Sequence, residues 1–116
     1  MDFALATRRG RVGTVVEVAG DLDMSTTPRL RDGLLEAVES GTRVVVVDLA
    51  AVGFMDSSGL GALVIAYKAM RARDGWLCLA GVQPSVRKVL SITSVDRVIE
   101  SFDTVQDAEA ASPAAS

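Results

Sequence analysis

The sequence predicts an α/β fold in which helices cover a mixed, mostly parallel β-sheet. The run from Val44 to Val47, continued by Leu49, is hydrophobic without alternation, which is typical of a central strand covered on both faces. Strand-like stretches alternate along the chain with stretches of helical periodicity. The 116 residues are 49% hydrophobic, which is enough for one core and one domain. We expect about four to five strands and about four helices.

The first part of the chain predicts two strands and a helix. The strands are expected over 3–7 and 12–19, with the basic turn "TRRGRVG" between them. The polar loop "GDLD" (20–23) leads into a helix with a hydroxyl cap at Thr27 or just before it. Pro28 suits the first helical turn, because its missing N–H would have no partner there anyway. The apolar stripe of this helix comprises Leu30, Leu34, Leu35 and Val38, and Gly41 fits its end.

The second part predicts three helices and two strands. From Leu60 onward apolar residues recur at helical spacing, and this helix should end near Gly75; the residues are Leu60, Leu63, Val64, Tyr67 and Met70. Strands are expected over 76–80 and 98–102, and Pro84 opens a short helix between them. Thr104 and Asp107 have capping-box spacing ahead of a last helix. The domain is expected to span 1–111, with a disordered tail over 112–116.

Composition argues against several function classes. A net charge of −3 disfavours sequence-independent nucleic-acid binding, which depends on neutralising phosphates. The chain has no histidine, so a Ser-His-Asp or Cys-His site cannot be built, and most catalytic zinc sites lose their usual ligand. We therefore expect a protein that is not an enzyme and that uses neither a metal nor a cofactor.

The single cysteine and the N-terminus favour an ordinary intracellular protein. Cys78 lies in the strand-like stretch "WLCLA", where a small core side chain is favoured over a reactive thiol. The start "MDFALATRRG" lacks the charged-then-apolar order of a signal peptide. No apolar run approaches the roughly 20 residues that span a bilayer. We expect a cytoplasmic protein without membrane contact, as a monomer or weak dimer.

The segment "FMDSSGLGALV" (54–64) places polar residues and glycines directly after the hydrophobic strand. A serine nucleophile on a strand-to-helix turn usually has the frame G-x-S-x-G, but Met55 occupies the first glycine position. Gly59, Gly61 and Val64 form only an incomplete dinucleotide fingerprint, since the third small residue is lacking. Both a hydrolase and a dinucleotide site are therefore disfavoured.

Helix capping explains only part of this segment. Asp56, Ser57 and Ser58 are all good N-cap residues, but a cap needs only one of them. Gly59 and Gly61 in the first helical turn each cost about 1 kcal/mol relative to alanine in a helix interior. Because glycine removes a side chain, these two residues indicate that another backbone or a partner comes close.

Serine modification is a further interpretation of the same segment. A phosphate on a serine at a helix N-terminus carries about −1.5 to −2 charges at pH 7. The helix dipole and the free N–H groups can hold this dianion without unfolding the helix. Asp56, and Asp23 if its loop lies nearby, would deepen the negative patch and repel a partner.

The other side of the same helix carries a second apolar stripe of mostly small residues, Gly61, Ala62, Ile65, Ala69 and Ala72. A solvated helix face would normally carry more charge. The stripe therefore indicates either a docking surface or a helix partly covered by its neighbours, and the sequence leaves both interpretations open.

The segment "VVVVDLAAVGFMDSSGLGALV" (44–64) resembles the signature of the STAS domain and, within it, of the bacterial anti-sigma factor antagonists. The "GDLD" loop followed by a helix matches the family's other recurring loop, and the likeness covers 3–110. It implies a single small STAS-type α/β domain. Many relatives have a Gly-Leu pair after the third helix, where this chain has Ser94 and Val95.

The resemblance implies that the unphosphorylated protein binds an anti-sigma factor that is also a serine kinase, and so releases a sigma factor. The kinase would phosphorylate Ser57, with Ser58 a secondary candidate, and a separate serine phosphatase would restore binding. Asp56 would bond to or orient the hydroxyl, and Asp23 would lie near the same site. The expected partner-binding residues are Asp23, Asp56, Ser57, Ser58, Gly59, Gly61, Ala62 and Ile65. The alternative is a non-switching STAS scaffold or ligand-sensing subunit of a larger regulatory or transport complex.

Overall fold

A computed structural model describes residues 2–113 and contains one five-stranded sheet in the order β1-β2-β3-β4-β5. The strands are β1 (Ala4–Arg9), β2 (Thr14–Ala19), β3 (Val44–Ala51), β4 (Trp76–Ala80) and β5 (Ser101–Phe102). The helices are α1 (Thr27–Glu39), α2 (Ser57–Arg71), α3 (Pro84–Ile92) and α4 (Val105–Ala111), with a 3₁₀ turn at Val95–Arg97. Only the pairing of β1 with β2 is antiparallel. The predicted fold class is confirmed.

The central strand β3 is buried on both faces, which explains its unbroken hydrophobic run. Val45 and Val47 belong to the larger core, which also contains side chains of α1, α2 and α3. Val44 and Val46 belong to a smaller core on the opposite face, where Ala108 of α4 packs. All four valines are at most 1% exposed. The prediction of a central strand with helices on both sides is therefore confirmed.

Two boundaries differ from the prediction: the turn between β1 and β2, and the end of α2. The β1–β2 turn covers 10–13 and not the predicted 8–11, because Arg9 still pairs with Thr14 and the Gly10 amide donates to the Gly13 carbonyl at 2.7 Å. Helix α2 ends at Arg71, and a turn with Asp74 at a positive φ of 59° separates it from β4.

The last strand is shorter than the predicted 98–102. The Val98 and Ile99 amides both donate to the Val95 carbonyl at 2.9 Å, so this stretch is still folded back on the 3₁₀ turn. Regular pairing with β4 is confined to Ser101–Phe102.

Ser94, just before the 3₁₀ turn, has a positive φ of 62°. That left-handed conformation costs a residue other than glycine about 1–2 kcal/mol. Glycine adopts this conformation without that cost, so the backbone at Ser94 is one that favours glycine.

The capping prediction for α4 is confirmed, since the Asp107 amide donates to Thr104 Oγ1 at 3.0 Å. The chain remains ordered beyond the predicted boundary at residue 111, because Ser112 is buried and its amide donates to the Glu109 carbonyl. Of the predicted tail, 114–116 lies outside the described residues.

Candidate functional site

The loops that follow β2 and β3 meet at the carboxyl edge of the sheet. The Leu22 amide donates to the Phe54 carbonyl and the Asp56 amide donates to the Leu22 carbonyl, both at 2.9 Å. Leu22 and Met55 form a parallel bridge. The "GDLD" loop therefore lies directly beside "DSSG", as the family resemblance implied.

Asp56 is the N-cap of α2. Its Oδ1 atom accepts hydrogen bonds from the Ser58 amide at 2.9 Å, the Ser58 hydroxyl at 2.6 Å and the Gly59 amide at 3.2 Å. The expectation that Asp56 holds the Ser57 hydroxyl is wrong, because the extended backbone of Asp56 aims its carboxylate at the residue beyond Ser57.

The cap of α1 differs from the predicted hydroxyl cap. Thr26 occupies the N-cap position, but its side chain makes no bond to a helix amide. Its hydroxyl instead donates to the Asp21 carbonyl at 2.7 Å. The Thr26 and Thr27 amides bind the carboxylate and the carbonyl of Asp23, at 3.2 and 2.9 Å. Asp23 thus holds the turn that leads into α1, whereas Asp56 caps α2 directly.

A hydroxyl pair links the two helix starts. Thr27 Oγ1 of α1 lies 2.9 Å from Ser58 Oγ of α2. Since Ser58 also donates to Asp56, the three side chains form a continuous hydrogen-bonded chain across the edge of the sheet. Sequence reasoning missed Thr27 as a site residue, because nothing in a linear pattern joins positions 27 and 58.

The two aspartates remain ionised and form a negative pole. The Ser58 hydroxyl, followed by backbone amides, lowers the pKa of Asp56, although desolvation and the charge of Asp23 act in the opposite direction. The Ser25 hydroxyl lowers the pKa of Asp23 in the same way.

The serines of the motif have different environments. Ser57 is exposed, begins α2, and its side chain makes no hydrogen bond with the described residues. Ser58 is half-buried and its hydroxyl bonds to Asp56 and Thr27. Of the two hydroxyls, only that of Ser57 is open to a modifying enzyme without breaking the helix cap.

The two glycines of the motif have different roles. A Cβ atom on Gly59 would lie 2.9 Å from Leu22 Cβ and 3.0 Å from Met55 Cγ, so internal packing requires that glycine. A Cβ atom on Gly61 would meet nothing within 4 Å. Close packing within the chain explains why glycine is needed at position 59. At position 61, glycine instead leaves open space on the surface.

The second apolar stripe of α2 is not one free surface. Ala62 is 3% exposed and joins the core cluster that contains Leu30 and Leu34 of α1. The side chain of Ala62 is therefore covered by the fold itself, and the predicted docking stripe is interrupted at this residue. Ile65 is 46% exposed, and it lies on the face of α2 shared by Ser57 and Gly61.

Two exposed apolar side chains border this site and were not found from the sequence. Met24 is 79% exposed and Phe54 is 50% exposed. Met24 directly follows Asp23 in the chain, and Phe54 lies two residues before Asp56. The sequence pattern that could have revealed them is an apolar residue inside an otherwise polar loop.

Other parts of the structure show no comparable arrangement. An open cleft of about 840 Å³ lies at the opposite end of the sheet, between the β1–β2 turn and the end of α1. Across residues 2–113, no cluster of three acidic or cysteine side chains is arranged to hold a metal ion. Within the same range, no helix is long and apolar enough to cross a membrane.

Comparisons with known proteins agree on one family. The STAS domain model matches residues 4–108. An anti-sigma-B factor antagonist of Staphylococcus epidermidis is 39% identical over 80 residues, covering 69% of this chain and 74% of that protein. The crystal structure of an anti-sigma factor antagonist from Mycobacterium paratuberculosis superimposes with a TM-score of 0.88 at 27% identity, covering 96% and 94% of the two chains.

The fold is also that of the anti-sigma factor antagonist SpoIIAA in its unphosphorylated form. That structure has a TM-score of 0.77 at 24% identity and covers 94% of both chains. The family model over residues 4–108 and the 39% identical relative show that the chain belongs to the STAS domain family.

Proposed function

We propose that this chain is an anti-sigma factor antagonist controlled by phosphorylation of Ser57. The unphosphorylated form binds an anti-sigma factor that is also a serine kinase, and a sigma factor is released. The observation that carries the proposal is the exposed Ser57 hydroxyl, which makes no hydrogen bond with the described residues and directly follows the capping Asp56 at the start of α2. The names of the relatives support the same assignment.

The chain acts as substrate and switch in this scheme. The Ser57 oxygen attacks the γ-phosphorus of ATP held by the kinase, its proton is released, and ADP leaves. The kinase supplies ATP and Mg²⁺, so the antagonist contributes an accessible hydroxyl on an ordered helix end. A serine phosphatase reverses the modification by hydrolysis, and the whole cycle takes place in the cytoplasm.

The geometry changes one step of the mechanism that the sequence suggested. A phosphate on Ser57 was expected to bind free amides at the start of α2. The Ser58 and Gly59 amides are already bound to Asp56, so a phosphate on Ser57 does not have these two amides available while the cap is intact. The phosphate therefore adds about −1.5 to −2 charges to a pole that Asp23 and Asp56 already make negative. A partner surface that contacts the unmodified hydroxyl would clash with the added phosphate and would face its unpaired charge. The complex would therefore dissociate.

The test combines kinase assays with two substitutions at Ser57. The purified chain is incubated with ATP and each anti-sigma serine kinase of its host, and phosphate is located by peptide mass spectrometry. We expect modification of Ser57 and loss of the kinase complex. Ser57→Ala should bind constitutively, and Ser57→Asp should weaken binding by about tenfold or more with thermal unfolding nearly unchanged.

Two outcomes would contradict the proposal. In the first, no host kinase modifies Ser57. In the second, both variants bind every kinase as the parent does, which would favour the non-switching scaffold. Ser58→Ala serves as the matched control. It should retain phosphorylation at Ser57 and should lose stability, because it removes the link between Asp56 and Thr27.

A further inference from the structure

The two loops at the site contain the same hydrogen-bonded turn. Asp23 Oδ1 accepts from the Ser25 amide at 2.9 Å, the Ser25 hydroxyl at 2.6 Å and the Thr26 amide at 3.2 Å. Asp56 Oδ1 accepts from the equivalent amide, hydroxyl and amide of Ser58 and Gly59 at the same three distances. The shared sequence is only an aspartate followed two residues later by a serine.

The two turns lie side by side and in register. Leu22 pairs with Met55 in a parallel bridge, so the residues after them correspond one to one along the two chains. Asp23 corresponds to Asp56, and Met24 corresponds to Ser57. Neighbouring parallel chains are about 4.8 Å apart at such a bridge. Each turn ties down its first and third residues and leaves the middle residue projecting from the hydrogen-bonded loop.

Met24 therefore occupies the position in the first turn that Ser57 occupies in the second. At 79% it is the most exposed large hydrophobic side chain of residues 2–113. The turn does not depend on its side chain, because the hydrogen bonds of the turn join Asp23 to Ser25 and Thr26. The exposed side chain adds no core contact, so the fold itself does not require methionine here.

We propose that Met24 is a specificity-determining anchor for the anti-sigma factor, seated in an apolar pocket of that partner beside the contact with Ser57. This inference rests on the proposed function. Methionine suits the role because its unbranched, polarisable chain fits pockets of irregular shape. When Met24 is bound in this pocket, it fixes the partner surface over Ser57. A small shift of the partner then cannot relieve its contact with a phosphate on Ser57. Phe54, 50% exposed at the same edge, extends the apolar contact.

The test compares Met24→Ala, Met24→Leu and Ile92→Ala with the parent chain. The probe is the host kinase that phosphorylates Ser57, and affinity is measured by titration calorimetry. Ile92 is the matched control, because it is also a large exposed hydrophobic residue, at 73%, but lies at the end of α3. We expect Met24→Ala to weaken binding by about tenfold or more, Met24→Leu to stay within about threefold, and Ile92→Ala to match the parent.

Two further readouts separate an anchor from a structural residue. Thermal unfolding should be the same for all four proteins, since Met24 contributes no core contact. In phosphorylation assays Met24→Ala should raise KM and leave kcat nearly unchanged, as removal of a contact made equally in ground and transition states does.

The outcomes distinguish this inference from the function on which it rests. If the parent binds and is phosphorylated while Met24→Ala behaves like the parent, the anchor is wrong and the proposed function stands. Equal weakening by Met24→Ala and Ile92→Ala would also overturn the anchor, because the effect would then belong to surface hydrophobicity in general. If the parent neither binds nor is phosphorylated by any host kinase, the proposed function and the inference both fail.

Discussion

Ser57 and Ser58 are adjacent in the sequence, but their side chains have different environments in the fold. The Ser58 hydroxyl takes part in the helix cap and contacts α1 through Thr27. The Ser57 hydroxyl is exposed and makes no bond within residues 2–113. A hydroxyl that contributes nothing to folding can be modified without unfolding the domain, whereas a phosphate on Ser58 would displace two hydrogen bonds.

The two glycines of the motif supply a residue-scale prediction about stability. Gly61→Ala should raise the free energy of unfolding by about 0.5–1 kcal/mol, because alanine is the better helix former and its Cβ atom meets nothing. Gly59→Ala should lower it by about 1–3 kcal/mol, since the new atom would crowd Leu22 and Met55. Urea unfolding of the two variants and the parent measures both effects.

The same pair of variants tests what each glycine is for. If Gly61 keeps the surface open for a partner, Gly61→Ala should weaken kinase binding although the protein itself is more stable. A Gly61→Ala variant that is more stable and binds as the parent does would show that the position is not within the interface.

At the scale of elements, both helix starts at the site depend on an ionised aspartate. The pKa values of Asp23 and Asp56 are lowered in the folded chain by their hydroxyl and amide donors. A carboxylate with a lowered folded pKa stabilises the fold above its unfolded pKa of about 3.9, and this contribution disappears as the pH falls through the folded value. The cap of α2 and the turn that precedes α1 should therefore weaken together in acid.

This dependence predicts a smaller acid sensitivity for Asp56→Asn. Asparagine caps helices about as well as aspartate but does not titrate in this range. The melting temperature of the parent should fall more steeply than that of Asp56→Asn as the pH is lowered from about 5 to below the unfolded pKa. Parallel curves for the two proteins would mean that the Asp56 charge adds nothing to the cap.

At the scale of the whole molecule, one buried thiol reports on global unfolding. Cys78 lies in β4, is 0% exposed, and pairs with Val46 of the central strand. Burial, with a smaller effect of the Glu100 charge, raises the pKa of its thiol to about 12. The core residue expected from the sequence is therefore confirmed, and its thiolate form is suppressed near neutral pH.

Labelling of Cys78 with a chromogenic thiol reagent at pH 8 should consequently be slow in the native protein and complete in urea. As the chain has one cysteine, the signal belongs to one site. The native labelling rate should rise for Gly59→Ala and fall for Gly61→Ala, following their free energies of unfolding. A native rate that is insensitive to both substitutions would indicate local opening of β4.

Much of the fold could be predicted because the deciding signals are local. The β-branched run of β3, Pro28 and Pro84 in first helical turns, and the Thr104 cap each depend on neighbouring residues only. The predictions were less accurate where a distant contact competes with a local pattern. The last strand is short because its approach is still bonded to the Val95 carbonyl, which apolar composition does not reveal.

The sequence by itself determined the fold class, the order of the elements and the segment on which the site is built. Hydrophobic periodicity, helix caps and the "DSSG" motif each depend on residues that are close together along the chain. Only the tertiary structure decided that Ser58 rather than Ser57 is tied to Asp56, that Gly59 is packed while Gly61 is open, and that Met24 corresponds to Ser57. The last two depend on contacts between the loops after β2 and β3. Those loops are far apart along the chain, and they meet only because two parallel strands end at the same edge of the sheet.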